Sequence, residues 1–198
     1  SMYMKSDLDI AGFAVGVVEK NAMLNIDSVK NGDALVGLPS NGLHTNGYSL
    51  VRHVLGLDED SSPLNEFHPK MGQTLGDALL TPHRSYYQIL RPAFPMLKAI
   101  AHITGGGLIE NVPRALGNGL AARFDTTTWP LPPVFTVLEE TNDIERDEMY
   151  RVFNMGLGMV AVCAEDDLTT ITDKIPDARV VGRIIQRDDG PQVTILDG

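Results

Sequence analysis

Thr104–Asn111 reads TGGGLIEN, and it stands between an apolar run, Lys98–Ile103, and a helix-like segment that reaches Pro113 and Arg114. Three consecutive glycines, Gly105, Gly106 and Gly107, let the backbone turn sharply and present its N–H groups outward, where a helix start favours negative charge. Two readings of this turn stay open at the level of sequence. It is a cradle for a phosphate, or it is a tight corner that packs one element on the next. The spacing matches neither the P-loop nor the dinucleotide fingerprint. Under both readings the unit is strand, turn, helix, and that is the step from which layered α/β folds are made.

The same step recurs on either side. Candidate strands are Ala11–Glu19 (AGFAVGVVE), Ala34–Leu38, Leu120–Phe124, Leu157–Ala164 and Ala178–Ile185. The valines and short length of Ala11–Glu19 predict a buried strand. Candidate helices are Tyr48–Leu55, Gln73–Leu80, Pro132–Glu140 and Glu145–Phe153, and Glu165–Asp167 reads as the acidic start of another. Gly56–Met71 reads as a surface loop, Trp129 as a packing anchor, and the proline-bearing run to Pro95 as either strand or interrupted helix. Asp189-Gly190 predicts a hairpin into a last antiparallel strand, Gln192–Leu196, which makes the sheet mixed.

The 198 residues, 43% hydrophobic and 21% charged, suit one compact domain with a real core. A net charge of −10 opposes non-specific contact with nucleic acid or an anionic membrane, so neither is an expected partner. No apolar run is long enough to span a bilayer. The single cysteine, Cys163, lies in an apolar run and reads as a buried, inert thiol, which fits a reducing, cytoplasmic setting. Ser1 ahead of Met2 reads as a remnant of tag cleavage, so residues 1–10 are expected to be a loose lead-in and residues 11–198 the domain.

The second notable stretch is Pro39–Leu50, PSNGLHTNGYSL, a polar loop around His44 that runs into a helix. A histidine set among Ser40, Asn41, Thr45 and Asn46 either handles a proton or an anion, or caps the following helix. Arg84 and Arg114 are the basic residues best placed in sequence to meet an anion. His102, inside the run before the glycines, reads as a satisfied core histidine. The histidines at 53, 68 and 83 show no zinc-like spacing, and no protein-only metal site is expected. Asn154, in NMGLG, marks a close backbone approach or a bulge at a strand entrance.

Taken together, AGFAVGVVEK at Ala11, PSNGLHTNGYSLVR at Pro39, LLTPHRSY at Leu79, AHITGGGLIENVPR at Ala101 and ERDEMYRVFNMGLGM at Glu145 resemble the phosphoribosylformylglycinamidine cyclo-ligases, the aminoimidazole ribonucleotide synthetases of purine biosynthesis. Val152 departs from the family's usual threonine, which puts one minor polar contact in doubt. The resemblance implies an α+β fold, a three-layer α/β/α sandwich with a mixed sheet, equivalent to the family's C-terminal domain. It implies that the full-length enzyme uses ATP and Mg²⁺ to activate the amide oxygen of formylglycinamidine ribonucleotide before an amidine nitrogen closes the imidazole ring. Residue by residue, it suggests His44 as the catalytic group. Ser40, Asn41, Thr45, Asn46, Arg84, Thr104, Gly105, Gly106, Gly107, Asn111 and Asn154 would bind substrate. It further implies that the family's N-terminal domain, which supplies the Mg²⁺ ligands, much of the ATP site and the homodimer contact, is a missing partner. This chain alone is then expected to fold, to hold no cofactor tightly and to be inactive. Related architectures, among them formylglycinamidine ribonucleotide synthetase and thiamine-monophosphate kinase, are the enzymatic alternatives, and a non-catalytic ribonucleotide-binding module is the other.

Overall fold

The computed structural model describes residues 12–142 and 144–196. The expected lead-in of residues 1–10 lies outside the described residues. In chain order the elements are β1 (Ala34–Pro39), α1 (Tyr48–Val54), β2 (Phe67–His68), β3 (Gln73–Thr74), α2 (Leu75–Leu79), α3 (Tyr87–Leu90), β4 (Leu97–His102) and α4 (Gly107–Asn111). There follow β5 (Leu120–Asp125), α5 (Pro133–Asn142), α6 (Arg146–Val152), β6 (Leu157–Cys163), α7 (Leu168–Lys174), β7 (Arg179–Gln186) and β8 (Val193–Leu196).

Six strands form one sheet in the order β4-β6-β1-β7-β5-β8, and β2 and β3 form a separate small pair. The central strands are apolar on both sides because both sides are covered. On β1, Leu35 faces one core with Val162 and Val181, against Leu108 of α4, Phe135 and Leu138 of α5 and Met149 of α6. Its neighbours Ala34, Val36 and Leu38 face the other, with Ala161 and Cys163, against Leu90 of α3, Ala93 and Ile171 of α7. Period-two alternation on a strand between two helical layers is what a three-layer α/β/α sandwich requires.

Local chemistry sets several boundaries. Thr74 caps α2 by accepting from Asp77 N, and its hydroxyl donates to the Asp77 carboxylate at 2.7 Å. This cap splits the expected helix Gln73–Leu80, whose first two residues pair with β2 instead. Pro92 and Pro95 settle the ambiguous run: after one turn of α3 the chain tightens into a 3₁₀ segment, Arg91–Met96. Trp129 is buried, donates its indole N–H to Met155 O at 2.9 Å and meets Phe124 edge-on.

Two expectations are corrected. The segment 12–19 is not a buried strand: it runs without strand pairing, with Phe13 94% and Val17 99% exposed. Its sequence has the alternation of a strand, but no described strand lies beside it, and burial requires a partner. The terminal hairpin is also absent. β7 is flanked by β1 on one side and β5 on the other, so β8 has no edge of β7 to join and pairs with β5 in parallel. The sheet is mixed through that β5–β8 pair, the others being antiparallel.

Candidate functional site

Three segments converge beside the start of β6: the loop from Pro39 to Gly47, the glycine turn after β4, and the stretch 81–86 before α3. The first is stitched to the strand entrance by Asn154. This buried amide accepts from Ser40 Oγ at 2.7 Å and from Gly156 N at 3.0 Å, and donates to Gly42 O at 2.8 Å. Ser40 and Asn154 therefore spend their polar atoms on holding the loop.

His44 sits within that loop in the left-handed region, φ 60°, and is 4% exposed. Tyr48 Oη donates to the carbonyls of His44 and Leu79. Asn41 Nδ2 donates to Pro82 O at 2.8 Å, which turns Asn41 Oδ1 toward His44 Nε2 at 2.9 Å. Asn41 Oδ1 is the nearer of two contacts on Nε2, the Asn41 backbone N–H lying 3.4 Å away, and it favours the Nε2–H tautomer, in which Nδ1 is a bare lone pair, buried with no hydrogen-bond partner among the described residues. The imidazole rests over Gly158, where an added Cβ would lie 2.7 Å from His44 Cε1 and would overlap the Tyr86 hydroxyl. Burial, then the neighbouring His83, His102 and Arg84, lowers the His44 pKa to about 4. At neutral pH it is an uncharged imidazole. Burial likewise pushes the Tyr86 phenol up to about 12, and that hydroxyl donates to Pro39 O at 2.8 Å.

The glycine turn divides its labour. Gly107 (φ +55°) packs α4 onto the end of α6, where a side chain would overlap Tyr150 O and meet Phe153 O at 2.8 Å. Asn111 is buried and gives Nδ2 to the carbonyls of Gly107 (2.8 Å) and Gly105 (3.1 Å), while accepting from Thr104 Oγ1 at 3.1 Å. The corner reading thus accounts for Gly107 and Asn111. Gly105 is exposed and Gly106 half-buried beside the Glu110 side chain, and their N–H groups take no acceptor among the described residues. Asn46 Oδ1 lies 3.3 Å from the point where a Gly105 Cβ would sit, so the two polar loops meet there. Thr45 is exposed alongside.

Arg84 is near, but its charge is engaged: it pairs with Asp177 at 2.7 Å, and its backbone N–H donates to Asn41 Oδ1 at 3.2 Å. Arg114 is exposed on the 3₁₀ turn Val112–Ala115 after α4, separate from the His44 loop. The reading of His102 as a core residue is corrected. The burial of β4 alternates, with Leu97, Ala99 and Ala101 inside, so His102 falls on the open side, where its Nε2 lies 3.2 Å from His83 Nε2. The His83 ring in turn covers His44, with ring centroids 4.0 Å apart. Linear spacing concealed this run of three imidazoles, because their positions in sequence are far apart; the period-two pattern of LKAIAH was the one available signal for His102.

Residues 30–193 match the family model described as AIR synthase related protein, C-terminal domain. The chain belongs to this family. It is 41% identical over 193 residues to a phosphoribosylformylglycinamidine cyclo-ligase of Thermoanaerobacter sp. (strain X514), covering 95% of this chain and 57% of that protein. It is 45% identical over 195 residues to the protein of the same name from Lactococcus lactis subsp. lactis (strain IL1403), covering 97% and 56%. The chain thus spans little more than half the length of these curated relatives. Among solved structures, the chain superposes on thiamine-monophosphate kinase from Stenotrophomonas maltophilia K279a with a TM-score of 0.58 at 19% identity, covering 90% of this chain and 54% of that one. E. coli HypE gives 0.59 at 16% identity, covering 91% and 51%. At such identities the two structures share the fold with it.

Proposed function

We propose that this chain is the substrate-binding half of a cytoplasmic phosphoribosylformylglycinamidine cyclo-ligase, which uses ATP to close formylglycinamidine ribonucleotide to aminoimidazole ribonucleotide. What carries the reading is the meeting of the two polar loops, Asn46 against Gly105, in a chain whose relatives at 41% and 45% identity bear that enzyme's name. In this reading the N–H groups of Gly105 and Gly106 that lack an acceptor take the ribose phosphate, with Thr104 and Thr45 beside them. Asn111, Asn154 and Ser40 act one step back, by fixing the backbone of the two loops.

His44 has a narrower role here than the family resemblance allows. A group with a pKa near 4 stores no positive charge at neutral pH, and its one N–H already goes to Asn41. Its free atom is the Nδ1 lone pair, which accepts a hydrogen bond from the amidine of a substrate that displaces the His83 ring. It orients the nucleophilic nitrogen rather than stabilising the departing oxygen.

ATP and Mg²⁺ are assigned in this proposal to the remainder of the parent enzyme, together with its homodimer contact. Mg²⁺ takes oxygen ligands in near-octahedral geometry, usually with one or two carboxylates. Among the described residues no group of three or more His, Cys, Asp or Glu side chains is placed to hold a metal ion. These residues do not fit the Mg²⁺ site, and no chemical step is assigned to it on this chain.

The direct test is reconstitution with a separately produced N-terminal portion of a relative, followed by ATP-dependent formation of aminoimidazole ribonucleotide. The expected outcome is no turnover by either part alone and turnover by the mixture. Turnover by this chain alone would contradict the proposal, as would a mixture that phosphorylates thiamine monophosphate and leaves the ribonucleotide untouched.

A further inference from the structure

We propose that His83 and His102 form a two-imidazole binding site for a divalent transition-metal ion of the zinc type, on the open rim above His44. The two Nε2 atoms are 3.2 Å apart, with ring centroids separated by 5.3 Å and planes crossing at 81°. Zinc–imidazole bonds run about 2.0–2.1 Å, and two such bonds at the tetrahedral angle place their nitrogens roughly 3.3 Å apart. The observed separation is close to one edge of a zinc tetrahedron, and the rings have to turn in place until both Nε2 lone pairs meet the ion.

Both imidazoles are exposed, which leaves the remaining coordination positions to water. Without metal, the contact is a hydrogen bond in which one Nε2–H is donated to the other Nε2. On binding, the donor ring passes to the other tautomer, its hydrogen transferred through solvent from Nε2 to Nδ1, while the acceptor ring keeps its hydrogen on Nδ1, and both Nε2 lone pairs face the ion. Burial first, and then the neighbouring His83, disfavours the charged form of His102. Imidazole nitrogens suit zinc, nickel and copper rather than Mg²⁺, so this site is chemically distinct from any the ATP chemistry of a ligase needs. His44 is not a ligand, since its Nε2 is engaged by Asn41 and its Nδ1 is buried.

The two ligands come from different elements. His102 ends β4, and His83 lies in the connection 81–86, so a bound ion ties that connection to the sheet and pins the His83 ring over His44. With two protein ligands the affinity belongs in the micromolar range, far from that of closed four-ligand structural sites, on the order of a Kd of 1–100 μM.

The test is calorimetric titration of the intact chain with Zn²⁺ at neutral pH, repeated with Co²⁺ while following its visible absorption, on the wild type, His83→Ala, His102→Ala and the exposed control His53→Ala. The expected result is one saturable site, weakened about ten-fold or more by either His83→Ala or His102→Ala and unchanged by His53→Ala. Equal affinity in the wild type and both of those variants would overturn the proposal, as would no saturable binding up to about 1 mM. The site stands on the histidine geometry alone, so its failure leaves the cyclo-ligase reading intact, and the reverse holds.

Discussion

His44 ties the chemistry of the loop to stability, because its proton is excluded by the folded state. Its pKa falls from 6.5 to about 4 on folding, by burial first and then by His83, His102 and Arg84. Below pH 6.5 the unfolded chain binds a proton that the folded chain refuses, so stability decreases as pH falls from 6.5 toward 4 and levels off below that. At 1.36 kcal/mol per pKa unit the loss approaches roughly 3 kcal/mol. Urea unfolding across that range should show the slope in the wild type and a flatter profile in His44→Gln; identical profiles would contradict the assignment. At the same scale, Asn154→Ala leaves Gly42 O and Ser40 Oγ without their buried partner and should cost about 2–3 kcal/mol in denaturant unfolding. Gly107→Ala should cost at least about 3 kcal/mol, since φ +55° and the overlap with Tyr150 O strain it together. At the level of sequence the family resemblance gave Asn111 and Asn154 as substrate-binding residues, and their own surroundings showed only polar groups near glycines. That their amides are spent on backbone carbonyls depends on which loops come together, and no local pattern carries that information.

At the scale of elements, the two flanks of β6 are clamped by an ion pair. Asp33, just before β1, and Lys98 of β4 meet at 2.6 Å, and the same carboxylate accepts from Lys30 N at 2.7 Å. The Asp33 side chain is nearly buried, so Lys98→Ala strands a charge and should destabilise by about 3 kcal/mol, while Lys98→Met with Asp33→Leu should recover much of the loss. Thermal unfolding of the single and double variants decides this; equal destabilisation in both would remove the clamp from the account. Most elements were legible because their pattern is local. Leu157–Cys163 is a continuous apolar run, and Pro133 opens α5 where a proline fits the first turn. The failures were those of pairing. Asp189-Gly190 has the chemistry of a hairpin turn, but the edge it needed was already held by β5. The stretch 12–19 has the composition of a buried strand, but composition says nothing about whether a neighbour is there.

Over the whole molecule, the two covered faces of the sheet position one polar corner. β6 begins where β4 ends, and the loops from Pro39, Thr81 and Thr104 gather there. The fold brings to one place the stretches on which the family resemblance rests, PSNGLHTNGYSL and ITGGGLIEN, and that is why the resemblance was legible before the geometry was. Phe13, Val15 and Val17 stand exposed at the other extreme of polarity, 94%, 86% and 99% accessible, on a chain of net charge −10. Concentration-dependent association in sedimentation experiments is expected, and it should be reduced by Phe13→Ser with Val17→Ser. A monodisperse wild type at high concentration would contradict that.

The central claim, that this chain carries the ribonucleotide half of a ligase site, is met most directly by calorimetric titration with formylglycinamidine ribonucleotide and, separately, with ATP and Mg²⁺, on the wild type and Gly106→Val. Gly106 has φ +94°, and a side chain there would be strained and would crowd the Glu110 side chain. Weak ribonucleotide binding that Gly106→Val abolishes in a variant with native circular dichroism, with little binding of ATP, is the predicted result. Firm ATP binding with no ribonucleotide binding would contradict it and would assign this chain the other half of the chemistry.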